Sequence, residues 1–503
     1  MPASSATRRT VTALQPSSAA LASALAERGV GRGDLVAVVL PNTAWWPVIA
    51  LGIWRAGAAI APFGLRWTAE ETRRALARVR PRVAVTTGPS VSLLRQAGVE
   101  AGIDLEVVAH GQVEGATPLE ALLEAGGMEA FAEPRLAPTD LAVVPFSSGT
   151  GGLPKGVRLT HANLAASSAQ VAASLGFDAD TVALAAVPFS HVMGLGLSLC
   201  VPLRVGARIV TLPVPDTGRV LELTARHRVT HATVPVPIFT ELATDPRVEP
   251  HDTSSLELLA TAGARVPAAV EVAAGRRLRT LARQGYGMTE ATTMISGPMG
   301  LGRPGDPGTV GWLAAGTEAR LVDPDNGRDV PPGHPGELWI RGPQVMNGYF
   351  DDPAATAATL TADGWLRTGD LVTIGGDGQL VVEDRLKELI KVDGVQVAPA
   401  ELELLLGQHP AVRDAAVVGR PDPEAGEVRA EPWAGNARSR IVGGGRRRAG
   451  RVGGRPAVGL ALNEVARRFA PATRCAESRW LPPDRGPRRG ATERVAAHPA
   501  EFV

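Results

Sequence analysis

The sequence predicts an α/β protein built around a parallel sheet, and three observations carry that expectation. Short apolar runs such as Leu35–Leu40, Val83–Thr87 and Val182–Val187 recur with segments of helical spacing between them. That alternation is the pattern of βαβ units. From Arg303 to Gly348 the texture changes to brief runs, Ala319–Val322 and Glu337–Ile340, set between Asp-, Pro- and Gly-rich turns, as in a small β subdomain. A chain of 503 residues exceeds one ordinary core, so two to four domains are expected.

Taken in order, Met1–Gln15 reads as a disordered or clipped lead-in and Leu21–Arg28 as a short amphipathic helix. Gly31–Asp34 is a turn before the strand Leu35–Leu40, which Pro41 and Asn42 end. Ala44–Ala56 is a helix with three tryptophans for packing, Ala69–Val79 a more polar helix, and Val83–Thr87 a strand. Gly88–Asp140 is weaker and reads as peripheral helices. Leu141–Val144 is a strand leading into a glycine-rich loop, and Asn163–Leu175 a helix after it. Strands at Val182–Val187, Arg208–Leu212, Thr230–Val236 and Leu256–Ala260 then alternate with helices at Val220–Arg226, Ile238–Thr244 and Pro267–Ala274. Thr280–Gln284 leads into Gly285–Glu290. Trp365–Asp370 ends the β subdomain, Gln379–Val382 is a strand, and Glu383–Lys391 is a polar, hinge-like segment. Ala400–Leu406 reads as a helix and Ala411–Val418 as a strand.

At Val428 the character breaks. Residues 428–503 hold sixteen arginines, no lysine and one aspartate, Asp484. They show no sustained period and cannot readily bury a core. One reading is a basic disordered tail. The other, preferred because the break falls inside what reads as a small α/β domain, is a shifted reading frame near Glu427–Arg429.

Composition excludes several functions. The formal net charge is +1, so no overall electrostatic case for nucleic acid exists. Two cysteines, Cys200 and Cys475, exclude a disulfide framework or a cysteine-rich metal site. The run Trp45–Ile60 is interrupted by Arg55 and is too short to span a bilayer. No signal peptide is evident, and a cytoplasmic enzyme is the default.

The richest stretch is Pro145–Val157, PFSSGTGGLPKGV, with three hydroxyls, four glycines and one lysine. Glycines let a backbone wrap a polyanion, hydroxyls and N–H groups donate to its oxygens, and Lys155 adds a point charge. A triphosphate or pyrophosphate is the natural guest. Pro154 and Gly156 flank Lys155, so this is not the GxxxxGK[ST] loop. A plain surface turn is the alternative. Lysine is scarce, however: Lys155, Lys387 and Lys391 are the only three.

Four segments in order carry a resemblance: SSGTGGLPKGV (Ser147–Val157), QGYGMTE (Gln284–Glu290), GWLRTGD (Gly364–Asp370) and DRLKELIKVDGVQVAPAELE (Asp384–Glu403). With these the chain resembles the adenylate-forming superfamily of acyl- and aryl-CoA ligases, luciferases and adenylation domains, and most of all the 4-coumarate:CoA ligases and their bacterial relatives. The resemblance runs from about Leu21 to Glu427. It implies a large N-terminal region of stacked mixed and parallel sheets with helices (residues 21–385, its β subdomain about 303–385), then a small mobile α+β C-terminal domain that starts at 386–427 and is incomplete. It implies ATP, Mg²⁺ and coenzyme A, and a reaction in which a carboxylate attacks the α-phosphate and a thiol then displaces AMP.

By that resemblance Ser147, Ser148, Gly149, Thr150, Gly151, Gly152 and Lys155 hold phosphates. Gly285, Tyr286 and Gly287 approach the nucleotide, Tyr286 beside adenine. Thr289 donates to the α-phosphate and Glu290 binds Mg²⁺. Asp370 accepts the ribose hydroxyls, Arg385 reaches the ribose or phosphate, Lys387 is the hinge, and Lys391, Gly394 and Gln396 belong to the moving interface. His191 in PFSHVMG resembles the gate between carboxylate and thiol channels. Met193, Gly194, Ala262, Gly263, Ala264, Gly285 and Gly311 line an acyl pocket. Its small residues leave room, and no cation is evident there for a second carboxylate. An aryl acid of cinnamate type or a medium-chain fatty acid is favoured. Each residue has a plainer alternative: Asp370 as a turn cap, Thr289–Glu290 as a helix N-terminus, Tyr286 as a core aromatic, His191 as a structural histidine, Arg385 and Lys387 as solvated charges.

Two departures stand out. Gly151 stands where the family usually has threonine, and a lost hydrogen bond to a charged group costs about 1.5–3 kcal/mol. No lysine follows Lys391, whereas the family carries one near its C-terminus that bridges carboxylate and α-phosphate. Arg485, Arg488 and Arg489 lie near that distance, but an arginine fork does not replace it. The start also reads as short. The alternatives to a ligase, a monomer or homodimer acting on a small carboxylate, are a catalytically impaired nucleotide- or acyl-binding protein and a stand-alone adenylation module serving a carrier protein.

Overall fold

In the computed structural model the chain divides into two compact units, Met1–Val382 and Glu383–Val503. The structure describes residues 11–126, 132–147, 155–331, 333–387, 390–392, 395–397, 415–422 and 426–434.

A seven-stranded sheet opens the first unit, in the order Thr117–Pro118, Glu106–His110, Val83–Thr87, Leu35–Val39, Ala59–Pro62, Leu141–Val143, Leu159–Thr160. Its pairings are parallel except the last, which is antiparallel. The apolar runs are continuous because both faces are covered. Val36 and Val38 point into one core, with Trp46, Ile49 and Ile53 of the helix Trp46–Arg55. Leu35, Ala37 and Val39 point into another, with Leu76 and Leu94. The helix Ala69–Val79 starts at a capping box: Thr68 Oγ1 accepts from Glu71 N, and the Glu71 carboxylate accepts from Thr68 N at 2.7 Å.

Two expectations change here. The lead-in is helical from Val11 and runs to Glu27, beyond the short helix expected at Leu21–Arg28. Buried Leu14, Leu21 and Leu25 anchor it, and Arg55 donates to Gln15 O at 2.8 Å and to Ser18 Oγ at 2.9 Å. Tertiary contact supplies what a weak period concealed. The segment expected to hold peripheral helices also holds the strands Glu106–His110 and Thr117–Pro118.

The second sheet is wholly parallel, in the order Arg208–Thr211, Val182–Ala185, His231–Thr233, Leu258–Thr261, Leu281–Gln284. One face, with Leu184, Ala232 and Leu259, packs on the helices Thr217–His227, Val236–Thr244 and Ala268–Leu278. The other, with Ala183, Leu258 and Ala260, meets Leu175, Leu197 and Met294. Buried Asn42 ties the two sheets: Nδ2 donates to Ala185 O (3.0 Å) and Val187 O (2.8 Å), and Oδ1 accepts from Phe189 N (2.8 Å). The strand end at Asn42 is therefore also the support for the turn that carries His191.

Buried His231 sets a pH response. Burial pulls its pKa below the usual histidine range, and its ring nitrogens contact Thr230 Oγ1 and Leu175 O, each at 3.0 Å. The folded state thus binds fewer protons at this site than the unfolded chain. Stability from it is complete above the unfolded value and is lost as pH falls below about 6.5. The melting temperature is expected to fall between pH 7 and pH 5, with a shallower slope in His231→Gln. An equal slope in both proteins contradicts this.

The β subdomain is a sheet ordered Glu318–Val322, Gly336–Arg341, Leu366–Ile374, Leu380–Arg385, and the last strand carries the chain across the division. Leu338 and Ile340 face the core. The other face is a ladder of cations on indoles: Arg320 lies over Trp339 and Trp365, Arg341 over Trp365 and Arg367 over Trp339. The sheet does not end at Asp370 as expected, because strand Leu366–Ile374 runs through that residue.

In the second unit Ile390–Val392 and Val395–Val397 form an antiparallel hairpin with Lys391 opposite Gln396. Ala415–Asp422 pairs antiparallel with Gly426–Ala434. Regular pairing thus continues six residues beyond the expected break at Val428. The helix expected at Ala400–Leu406 and residues 435–503 lie outside the described residues. Among the described residues no helix is long and apolar enough to cross a membrane.

Candidate active site

The glycine-rich stretch is flanked by a short hairpin. Phe146–Ser147 pairs antiparallel with Lys155–Gly156, and Leu159–Thr160 returns to the sheet before the helix His161–Leu175. The helix expected after the loop at Asn163–Leu175 begins two residues earlier, where Thr160 caps it through Asn163 N, and Asn163 Nδ2 donates to Pro343 O and Val345 O at 2.8 and 2.9 Å. That bond fixes the segment carrying Tyr349. Ser148, Gly149, Thr150, Gly151 and Gly152 lie outside the described residues.

Lys155 Nζ sits 4.8 Å from the ring centroid of Tyr349. Tyr349 Oη donates to Glu290 Oε1 at 2.9 Å. Burial first, and then the neighbouring Glu290 charge, push the Tyr349 pKa well above the usual phenol range, so it stays a donor. Glu290 is buried in the turn Thr289–Ala291, and its carbonyl accepts from Met346 N at 2.9 Å. The turn continues into two β-branched residues at positive φ, Thr292 (56°) and Thr293 (138°). Such strain persists only where neighbours impose it. Here Thr292 Oγ1 donates to Gln344 O, Ser167 Oγ to Thr292 O, and Thr293 Oγ1 to Val192 O.

Asp370 is buried and accepts from Tyr286 Oη at 2.5 Å. Its presentation comes from an irregularity in the sheet. Glu337 pairs with Leu371 and Trp339 with Arg367, so two extra residues are absorbed on the Asp370 strand. Gly369 takes φ 72° there, and Thr368 Oγ1 donates to Leu338 O at 2.7 Å. Bulges of this kind re-aim a side chain.

Beside Tyr286 lies an open pocket whose walls are mostly apolar. Of the residues expected to line it, Met193, Ala262 and Gly285 do, joined by Tyr286. Gly194 and Gly311 act as close-approach points instead. A Cβ on either would lie 2.1 Å from a backbone oxygen, Pro188 O or Gly297 O. His191, Gly263 and Ala264 are exposed and are not pocket walls. His191 Nδ1 accepts from Met193 N at 3.3 Å, which leaves the proton of the neutral ring on Nε2. Loss of solvation lowers its pKa. The expectation of a pocket without a cation is corrected: Arg283 lines it. That arginine was unreadable as a pocket residue because the facing partner of its strand is set by register.

The profile of the AMP-binding enzyme family matches residues 3–350. The chain belongs to that family. It is 37% identical to 4-coumarate--CoA ligase 3 of Oryza sativa subsp. japonica over 417 residues, covering 81% of this chain and 74% of the relative. It is 34% identical to the 4-coumarate--CoA ligase of Pinus taeda, covering 81% and 77%. Among solved structures it superposes on ATP-bound MatB from Rhodopseudomonas palustris with a TM-score of 0.76, at 28% identity and coverage of 83% and 82%. It also superposes on the anthranilate CoA ligase AuaEII in complex with anthranoyl-AMP, with a TM-score of 0.76 at 26% identity and coverage of 83% and 80%.

Within this AMP-binding enzyme the first unit brings Lys155 and Glu290 to the same side chain, Tyr349, and Tyr286 to Asp370, and the strand Phe146–Ser147 meets the turn Thr289–Ala291. Arg385 and Lys387 are exposed in the second unit, and Gly394 lies outside the described residues. Sequence reasoning missed Tyr349 and Asn42. The chain has only two tyrosines, and each donates to one of the two site carboxylates. That rarity was the available signal. Among the described residues no group of three or more His, Cys, Asp or Glu gathers to cage a metal. A lone buried carboxylate does fit Mg²⁺, which takes one or two carboxylates along with substrate phosphates and water.

The Tyr286–Asp370 bond makes a prediction. Asp370→Asn keeps the shape and removes the charge. It is expected to raise the KM for ATP about tenfold or more, the size of a lost charge-assisted hydrogen bond, while leaving the KM for the acid near its starting value. A change confined to the acid contradicts the assignment.

Proposed function

We propose that this chain is an ATP-dependent acid–thiol ligase for a carboxylic acid with an apolar body. A carboxylate oxygen attacks the α-phosphorus of ATP, the bond to the β-phosphate breaks, and pyrophosphate leaves. The thiol of coenzyme A then bonds to the acyl carbon, AMP leaves with the electron pair, and the thiol proton passes to solvent. The observation that supports this best is the paired arrangement of Tyr349–Glu290 and Tyr286–Asp370. It joins Lys155 and Glu290 through Tyr349, and joins Asp370 to Tyr286, which lines an apolar pocket.

In this reading Ser147, Ser148, Thr150 and Lys155 hold the outer phosphates, with Gly149, Gly151 and Gly152 allowing close backbone approach. Thr289 donates to the α-phosphate. Glu290 holds Mg²⁺, which when bound screens the phosphates from the incoming carboxylate. Tyr286 offers a flat face to adenine, oriented by its bond to Asp370, and Asp370 takes the ribose. His191, its Nδ1 accepting from Met193 N, borders the path of the thiol. Arg385 and Lys387 begin the second unit, where Lys387 is the pivot and Lys391, Gly394 and Gln396 form its working face. The setting is cytoplasmic, as a monomer or homodimer.

The test is carboxylate-dependent exchange of labelled pyrophosphate into ATP with Mg²⁺ and a panel of cinnamates, benzoates and fatty acids. Exchange that requires an acid is expected, followed by thioester formation when coenzyme A is added. Absence of exchange with every acid, in protein that binds ATP, overturns the ligase reading. Thioester formed only on a carrier-protein thiol replaces coenzyme A as acceptor.

A further inference from the structure

We infer that a buried polar stripe on the helix His161–Leu175 registers Glu290 against Lys155, and that Asn163 and Ser167 are positioning residues for the adenylation step. This deepens the ligase reading and rests on it. The helix follows the glycine-rich stretch through the strand Leu159–Thr160. Along it Asn163, Ser167, Gln170 and Ser174 recur at spacings of four, three and four, which places them in one line on one helix face. The adjoining line, Leu164, Val171 and Leu175, packs into the apolar cores. Asn163, Ser167 and Gln170 are themselves buried, so protein covers a polar face where a core helix ordinarily carries apolar side chains.

Every member of the stripe donates to a main-chain carbonyl of a distant segment. Asn163 Nδ2 donates to Pro343 O at 2.8 Å and to Val345 O at 2.9 Å. Ser167 Oγ donates to Thr292 O at 3.0 Å, Gln170 Nε2 to Ala315 O at 2.7 Å, and Ser174 Oγ to Pro298 O. Buried Gln344 closes the set. Its Oε1 accepts from Gln170 Nε2 at 3.2 Å, its Nε2 donates to Thr317 Oγ1 at 2.6 Å, and its carbonyl accepts from Thr292 Oγ1 at 2.6 Å. A buried polar group is costly unless it is bonded. Apolar contact has no direction, whereas a hydrogen bond does. A line of directed donors therefore fixes where these segments sit along the helix, which an apolar face would leave free to slide.

The carbonyls that Asn163 and Ser167 grip frame the metal carboxylate. Thr292 closes the turn that holds Glu290, its N donating to Thr289 O at 3.1 Å. It sits at φ 56°, a conformation that a β-branched residue keeps only under restraint. Val345 precedes Met346, whose N donates to Glu290 O at 2.9 Å, and Tyr349 follows with its Oη on Glu290 Oε1. The chain around Tyr349 is stitched in turn to the arm leaving the glycine-rich stretch: Phe350 N donates to Gly156 O at 2.7 Å and Arg158 N to Gly348 O at 2.9 Å. One helix face thus holds both sides of the Tyr349–Glu290 bond, and Lys155 lies over the same tyrosine ring. The stripe acts on the reaction through Glu290, where a misplacement of about 1 Å costs as much as a hundredfold in rate.

The experiment measures carboxylate-dependent pyrophosphate exchange by the full chain over a range of Mg²⁺ and acid concentrations, with ATP binding followed in parallel by equilibrium dialysis. Ser167→Ala is expected to lower the maximal exchange rate at least about tenfold. It should also raise the Mg²⁺ concentration needed for half-maximal exchange and for tight ATP binding, while the KM for the acid stays within about twofold. Ser168→Ala is the control. Ser168 is also buried, but its Oγ donates to Leu164 O and Ala165 O of its own helix, at 2.6 and 3.1 Å. Exchange by that variant should change by less than about twofold. Equal effects of the two alanine variants overturn the inference and leave the stripe a packing feature. So does a loss in Ser167→Ala that falls equally on the acid KM and the Mg²⁺ requirement. If Ser167→Ala does not fold, Asn163→Asp reads the same quantities, because it keeps the oxygen that accepts from Thr160 N and loses the donor to Pro343 and Val345. Exchange by the unmodified protein that is indifferent to Ser167→Ala sinks this inference alone. Absence of exchange with every acid in the unmodified protein sinks the ligase reading with it.

Discussion

Glu290→Gln is expected to lower carboxylate-dependent pyrophosphate exchange by about a hundredfold or more. Glutamine has the same reach and can still accept from Tyr349 Oη, so the 2.9 Å contact and the packing of the turn survive. The negative charge is what goes. Groups placed for charge in a transition state contribute on the order of a hundredfold or more each, and a neutral amide is a poor ligand for a hard cation. The variant should also need more Mg²⁺ for half-maximal exchange. Tyr349→Phe is the companion: it removes the hydroxyl and leaves the carboxylate, so its loss should be smaller. Unchanged exchange and an unchanged Mg²⁺ requirement in Glu290→Gln remove Glu290 from the site.

Gly287→Ala is expected to destabilise the first unit by about 3 kcal/mol or more, read from urea or thermal unfolding. A Cβ at Gly287 would lie 1.6 Å from Thr293 O and 2.7 Å from Thr293 C. Overpacking costs about 1–3 kcal/mol where side chains can yield. Here the obstacle is backbone, and that segment, already at positive φ, is held by a bond from Ser167 Oγ and by the bonds that Thr292 and Thr293 donate to Gln344 O and Val192 O. Gly196 packs closely on the same residue: a Cβ there would lie 2.1 Å from Thr293 Oγ1. Thr293 therefore has little room to move. Gly263→Ala is the control. Gly263 has φ 97° and open space around it, so only conformational strain opposes the change, about 1 kcal/mol. Equal losses in the two variants contradict the packing argument.

Leu35–Val39, Val83–Thr87 and Leu141–Val143 of the first sheet, and the apolar strands of the second, were legible because burial on two faces demands continuous apolar runs, whereas Ala59–Pro62, Glu106–His110, Thr117–Pro118 and Leu159–Thr160 were not. Ala69–Val79 was legible from its polar face and its Thr68–Glu71 box. Lys155 stood out as the lysine of a glycine-rich loop in a lysine-poor chain, whereas Glu290 and Asp370 were singled out only by the resemblance carried by QGYGMTE and GWLRTGD. The helix from Val11 was not legible, because the surface it buries belongs to the helix Trp46–Arg55. The β irregularity at Thr368–Asp370 was not legible either. Its register depends on Glu337 and Trp339, about thirty residues earlier.

By itself, then, the sequence determined the α/β class and the order of its main apolar strands and helices, since these follow from local period, while its motifs carried the resemblance that names the candidate site groups. Tertiary structure alone decided which groups meet. It paired each of the two tyrosines with a carboxylate, made Asn42 the tie between sheets, and put Arg283 across from Ala260 in an apolar wall. Those outcomes depend on strand register and on loops closing over long separations. A shift of one residue would turn Arg283 to the opposite face of its sheet.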